Sequence, residues 1–297
     1  MNEIYAKTII TRSKNDYWFG TDYNMNIYKG CSHGCIYCDS RSECYGVDQF
    51  DRVRVKLDAL TIIEKELKKK QKKGVIATGA MSDPYNPFEN EYKITREALK
   101  LIKTYGFGIA IATKSDLVTR DLDILEEINK TNPVIVKVTI TCGSDELSEK
   151  IEPNVATTSQ RLKAINSLRE RGIYTGVLMM PILPFIQDNE RNISDIVSLA
   201  KSVDANFIYP SFGVTLRGIQ RVHFYNKLDE IFSGVKDKYI TEYGDQYSCK
   251  SKSSKELWKL FSELCDEGNI KYRMRDIIKG YKGRDKNGES RQLSIFD

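Results

Sequence analysis

Six short apolar or β-branched runs, alternating with stretches that carry helix signals, constrain this chain more than any other feature. The runs are Met25–Tyr28, Gly74–Thr78, Gly106–Ala112, Val134–Thr141, Ile173–Met180 and Asn206–Tyr209. The later ones are largely apolar or β-branched runs, as expected for strands covered on both faces. Helix candidates lie between them at Leu57–Lys73, Thr95–Tyr105, Thr119–Asn129, Thr158–Arg171 and Ser194–Ser202. Thr95, Thr119 and Thr158 can cap first turns with their hydroxyls, and Gly74, Gly106 and Gly172 mark helix ends. The alternation predicts an α/β fold with a parallel sheet. A partial (β/α)6 barrel is the preferred reading over a flat doubly wound sheet, which periodicity alone does not separate. In either, the loops after the strands gather on one rim.

After Tyr209 the pattern changes. A helix around Gly218–Phe232, a polar stretch, a helix at Ser253–Asp266 and a segment at Asn269–Lys279 read as a helical extension. The expected division is an N-terminal segment 1–24, a core 25–215, an extension 216–280 and a flexible tail 281–297. Hydrophobic residues make up 40% of the 297, enough for a sizeable core. No apolar run reaches the roughly 18 residues that span a membrane, and the start lacks the apolar stretch of a secretory signal. A cytoplasmic protein without membrane contact is expected. The net charge of +5 permits contact with nucleic acid without demanding it.

Seven cysteines include three within eight residues: Cys31-Ser32-His33-Gly34-Cys35-Ile36-Tyr37-Cys38. An odd count with one tight cluster argues for reduced thiols and metal binding rather than disulfides. Thiolates are good ligands for iron–sulfur clusters. Spacings of four and three residues let one loop wrap three corners of a cubane, with Gly34 easing the turn. The fourth iron is then left open to a cofactor or substrate. The alternative is a structural zinc site completed by His33 or Cys44, although no second ligand pair is visible.

The cysteine spacing resembles the signature of the radical S-adenosylmethionine (SAM) superfamily. The stretch Asn26–Cys38, with Gly79-Ala80-Met81-Ser82-Asp83-Pro84-Tyr85, Ala112-Thr113-Lys114-Ser115 and Ile151-Glu152-Pro153-Asn154, resembles its spore photoproduct lyase-like group over residues 17–220. The resemblance implies a radical-SAM-type barrel holding a [4Fe-4S] cluster on Cys31, Cys35 and Cys38. SAM would chelate the open iron and, on reduction, yield a 5′-deoxyadenosyl radical that abstracts hydrogen from a substrate. It further implies that Tyr37 lies against SAM, that Ser82 and Asp83 bind its amino group, and that Lys114 meets its carboxylate. Thr139 or Thr141 would reach the ribose. A reductant such as flavodoxin or ferredoxin is implied as partner.

The chain departs from that group at two positions. The lyase returns hydrogen through a cysteine two residues before the Ser of the Ser-Asp pair and has a tyrosine after the last cluster cysteine; here these are Ala80 and Asp39. Cys142 is the best substitute donor, against the alternative of a small buried apolar residue. Cys44, Cys249 and Cys265 read as structural, and Glu152 as either a loop anchor or a substrate contact. The substrate is left open: a nucleic-acid lesion leads, with a small metabolite or a protein side chain as alternatives, or a non-catalytic iron–sulfur redox module. The end, Gln292-Leu293-Ser294-Ile295-Phe296, is similar to sliding-clamp-binding peptides of bacterial polymerases and repair proteins.

Overall fold

In the computed structural model, which describes residues 2–14 and 17–283, strands β1 (Asn2–Ile4) and β2 (Ile10–Arg12) precede β3 (Tyr23–Met25). Then come β4 (Tyr28–Lys29), β5 (Arg54–Lys56) and helix α1 (Ala59–Lys69). The chain continues as β6 (Val75–Thr78), α2 (Glu89–Tyr92), α3 (Ile94–Thr104), β7 (Gly108–Thr113) and α4 (Leu122–Thr131). Next are β8 (Val134–Thr139), α5 (Asp145–Ile151), α6 (Thr158–Glu170), β9 (Tyr174–Met179), α7 (Glu190–Ser202) and β10 (Ile208–Pro210).

Strands β3, β6, β7, β8, β9 and β10 pair in that spatial order, all parallel, with β2 antiparallel on the outer edge of β3. Each new strand is added on the same side of the last. Right-handed crossovers then put the connecting helices on one face, and the order never reverses as a doubly wound sheet requires. The sheet curls round its other face into a partial (β/α)6 barrel.

Alternation along the strands sorts the two faces. Ile76, Ile109, Ile111, Val136, Val138 and Val177 point outward into a core shared with Ile102, Leu125, Ile128 and Leu168 of the helices. Val75, Ala77, Ala110, Ile135, Tyr174 and Leu178 point inward, with Phe207 just before β10. The lower end is closed by Phe19 and by Met274, Ile277 and Tyr281. Those three belong to α11 (Met274–Lys282), the last helix of an extension that also contains β11 (Gly213–Thr215), α8 (Gly218–Ile231), α9 (Val235–Tyr243), β12 (Ser248–Lys250) and α10 (Ser254–Glu267). No helix among the described residues is long and apolar enough to cross a membrane.

Several local expectations differ. The first barrel strand is Tyr23–Met25, where Tyr23 and Met25 are buried about a half-buried Asn24; Tyr28 instead pairs with Val55 in a small separate sheet. The N-terminal segment is therefore part of the barrel sheet. None of the three threonines is a helix cap. Thr157 caps α6 with Gln160 in a reciprocal box, Ser115 precedes a 3-10 turn, and Lys93 precedes α3. Thr95 and Thr158 instead donate to the carbonyls of Pro84 and Cys142. Gly106 and Gly172 take the left-handed conformation expected of a helix stop, whereas α1 ends earlier, at Lys69, short of Gly74. The polar stretch after α8 holds α9, which buries Val235, Tyr239 and Tyr243. Tyr281 is 1% exposed inside α11, so the expected tail begins two residues too early. The clamp-like peptide Gln292–Phe296 lies outside the described residues.

Candidate active site at the barrel rim

The loop after β4 is held open by backbone contacts. Gly30 has φ +83°, and a Cβ there would stand 2.5 Å from the Arg52 carbonyl oxygen and 2.7 Å from that of Phe50. Only glycine fits so close an approach. Cys31 N–H donates to Phe50 (2.8 Å) and Ile36 N–H to Ile151 (3.1 Å), which straps the loop at both ends. Cys31, Cys35 and Cys38 all line a cavity of about 860 Å³. Its other walls come from the C-terminal ends of β6, β7 and β8, with β11, β12 and α10 over it.

Ser82, Asp83, Lys114, Thr139 and Tyr37 line the same cavity; Thr141 does not. The Asp83 carboxylate accepts from Tyr85 N–H (2.9 Å), Thr113 Oγ1 (2.7 Å) and Lys114 N–H (2.7 Å). It thereby ties the loop after β6 to the loop after β7, and His33 Nδ1 stands 3.6 Å from it. A carboxylate has about four acceptor sites, so one remains. The Lys114 ammonium lies 5.6 Å from the Tyr37 ring centre. Burial opposes its charge, but Cys35 and Glu152 beside it hold its pKa above the ordinary lysine value.

Behind this wall is a buried polar network. Tyr37 donates its phenol to Glu152, and Glu152 pairs with Arg161 Nη1 at 2.5 Å. Arg161 also donates to the Thr139 carbonyl (2.9 Å), and Gln220 from α8 donates to that of Tyr37 (3.1 Å). Burial pushes the Glu152 pKa up, but Arg161 and Lys114 outweigh it and leave it below the ordinary glutamate value. Glu152 is thus an anchor that fixes Tyr37 between Cys35 and Cys38.

Cys142 is 1% exposed and lies off the cavity wall, where Gln187 Nε2 donates to its sulfur at 3.0 Å. Burial pushes its thiol pKa up to about 12. A thiol enclosed behind the wall cannot return hydrogen to a bound substrate, so the donor role falls. Cys44 is exposed and outside the cavity. His33 turns to Asp83. Cys44 therefore does not complete a tetrahedral zinc site, while His33 stays beside both Asp83 and Cys31. Three thiols on one looped wall of a wide cavity, with a lysine ammonium among them, suit a multi-iron cluster. Ala80 is exposed on the cavity wall, while Asp39 is bound by Arg217 (2.6 Å) and Tyr45 (2.7 Å).

Sequence reasoning passed over Lys137, Trp18 and Trp258, all of which line the cavity. Lys137 interrupts the apolar run Val134–Thr141, and that interruption was the available signal. The chain has only two tryptophans, 40% and 45% exposed, at this one cavity. Their convergence is a product of the fold.

Comparison with known proteins agrees with this geometry. A family model described as Radical SAM superfamily matches residues 25–196. An uncharacterised protein of Mycobacterium tuberculosis is 28% identical over 230 residues, 75% of this chain and 67% of that protein. One from Methanocaldococcus jannaschii is 34% identical over 178 residues, 59% of this chain and 66% of that one. A Pseudomonas phage M6 protein called radical SAM Nalpha-GlyT isomerase is 22% identical over 198 residues, 65% of this chain and 40% of its own length. Among solved structures, a spore photoproduct lyase variant superposes with TM-score 0.66 at 14% identity, covering 89% of this chain and 78% of the other. That likeness is one of fold. The family match over more than half of the chain, falling on the barrel and its cysteine loop, makes this protein a member of the radical SAM superfamily.

Proposed function

We propose that the chain holds a [4Fe-4S] cluster on Cys31, Cys35 and Cys38 and binds SAM with Ser82, Asp83 and Lys114, Tyr37 and Thr139 lying alongside. One observation carries this: the loop after β4 and the loops after the parallel strands β6 and β7 bring three thiols, a carboxylate and an ammonium onto one cavity. When bound, the cluster and SAM together supply a hydrogen-abstracting carbon radical. The chain's own residues position the reaction. The open acceptor site of Asp83 suits the methionyl ammonium, and Lys114 suits the carboxylate. Tyr37, fixed by Glu152 and Arg161, holds the cluster loop. An external one-electron reductant such as flavodoxin or ferredoxin is the expected partner.

Among the described residues no thiol beyond the three cluster cysteines lines the cavity, and Ala80 and Asp39 offer no transferable hydrogen. We therefore do not assign lyase-type dimer repair. A nucleic-acid base is the favoured substrate. Trp18 and Trp258 offer ring faces for stacking, Lys250 and Lys255 lie on the same cavity, and stacking with basic side chains is how single strands are gripped. A spore photoproduct lyase structure holds AdoMet and a dinucleoside spore photoproduct, and the phage relative's name denotes a radical SAM isomerase. Single-stranded DNA binding that weakens with salt distinguishes this from a small-metabolite reading.

The test of the chemistry is anaerobic incubation with SAM and dithionite. Wild type is expected to form 5′-deoxyadenosine and Cys35→Ala to form none above background. Equal yields would overturn the mechanism.

A further inference from the structure

Lys137 is a cavity-lining group that the proposed cofactor contacts leave unused. It is 3% exposed and sits in the middle of β8. Its side chain is on the inward face, two residues below Thr139. Its register partners are Ala112 on β7 and Gly176 on β9. The Ala112 methyl leaves space beside it, and the Phe207 ring covers Gly176. The ammonium stands 4.5 Å from the centre of the Phe19 ring, which closes the barrel from below. Among the described residues no carboxylate and no hydrogen-bond acceptor reaches it. A buried ammonium with only a ring face beside it is costly, and this one lines the cavity.

We propose that Lys137 is the floor of the substrate chamber and receives an anionic oxygen, a carboxylate or a phosphate, carried by the part of the substrate that enters the barrel. This rests on reading the cavity as the substrate site, and it makes the reacting unit acidic: if a nucleic-acid base enters, it carries an acidic substituent. The aromatic floor excludes water from the pair, which strengthens a charge-assisted hydrogen bond.

The test is independent of SAM cleavage. Anaerobically reconstituted protein without SAM is melted at pH 6, where the ammonium is charged, in sodium phosphate, sodium acetate or sodium chloride at equal ionic strength. Phosphate or acetate is expected to raise the wild-type midpoint over chloride by on the order of 2 °C or more. A rise with phosphate alone identifies a phosphate group, and one with acetate a carboxylate. Lys137→Met is expected to abolish the rise and Lys163→Met, exposed on α6 and outside the cavity, to retain it. Lys137→Gln serves if the methionine variant does not fold. An undiminished rise in the Lys137 variants, or no rise in wild type with either anion, overturns the proposal, whatever the outcome with deoxyadenosine.

Discussion

Lys137 and Glu152 are both enclosed charged groups, and the fold handles them in opposite ways. Glu152 has Arg161 at 2.5 Å and a phenol donor in Tyr37, so its charge persists in the interior. Lys137 has only burial acting on it, which pushes its pKa from 10.5 down to about 7. The unfolded chain therefore holds this proton up to about pH 10.5, and the folded chain only up to about pH 7. Between those values the unfolded state binds more protons, so the lysine's penalty falls as pH rises; below about 7 both states are charged and the penalty is full. Lys137→Met is accordingly expected to be more stable than wild type by several kcal/mol at pH 6, the gap closing by up to about 1.4 kcal/mol per pH unit toward pH 10. Urea unfolding at pH 6, 8 and 9.5 measures this, and a gap that does not vary with pH contradicts it. The lysine was visible in the sequence as a charge within an apolar run. Which face it occupies was not, because strands covered on both sides carry no alternation of polarity.

The loop after β6 is the element on which the proposed SAM contacts depend. Gly79 opens it with φ +95°, and a Cβ there would stand 1.9 Å from the Ala112 carbonyl oxygen of the neighbouring strand. Backbone on both sides leaves nothing to give way. Gly79→Ala is therefore expected to cost roughly 3 kcal/mol or to displace the segment carrying Ser82 and Asp83. Thermal unfolding together with SAM-binding calorimetry reads both effects, and a variant that melts and binds as wild type rules out the tight approach. Elements with long apolar runs, such as β7, β8 and β9, were legible nearly to their ends. Those that were missed bury few side chains among many charges. In α9, Val235, Tyr239 and Tyr243 recur every fourth residue, but lysines, an aspartate and a glutamate between them hide the stripe. Caps were misread for a related reason: a threonine beside a helix start can satisfy a carbonyl across the fold as readily as its own first turn, as Thr158 does with Cys142. The cysteine loop and the segments carrying Ser82, Asp83 and Lys114, which share one cavity wall, were readable because they are local motifs. Arg161, Gln220 and the two tryptophans reach the site from elsewhere in the chain, and only the three-dimensional path brings them there.

At the scale of the whole molecule, a barrel with a cavity at its top rim needs its bottom shut, and this chain does that with segments from before β3 and after β10. Phe19 enters from the N-terminal side, while Met274, Ile277 and Tyr281 of α11 enter from the C-terminal side. The two are tied by a hydrogen bond from the Tyr281 hydroxyl to the Phe19 carbonyl at 2.6 Å, beneath the stacked rings of Tyr174 and Phe207. That closure keeps water away from Lys137 and gives the cavity its depth. Removing only the hydroxyl, in Tyr281→Phe, leaves one buried carbonyl without this donor and is expected to cost about 1 kcal/mol. Removing the ring, in Tyr281→Ala, opens a cavity under the barrel and is expected to cost about 3–5 kcal/mol. If α11 is part of the barrel's closure rather than the start of a loose tail, the alanine variant will also raise the water exposure of the interior, read as faster amide exchange in β8 and β9. An alanine variant within about 1 kcal/mol of wild type, with unchanged exchange in those strands, would mean that the barrel is shut by Phe19 and its neighbours without the C-terminal helix.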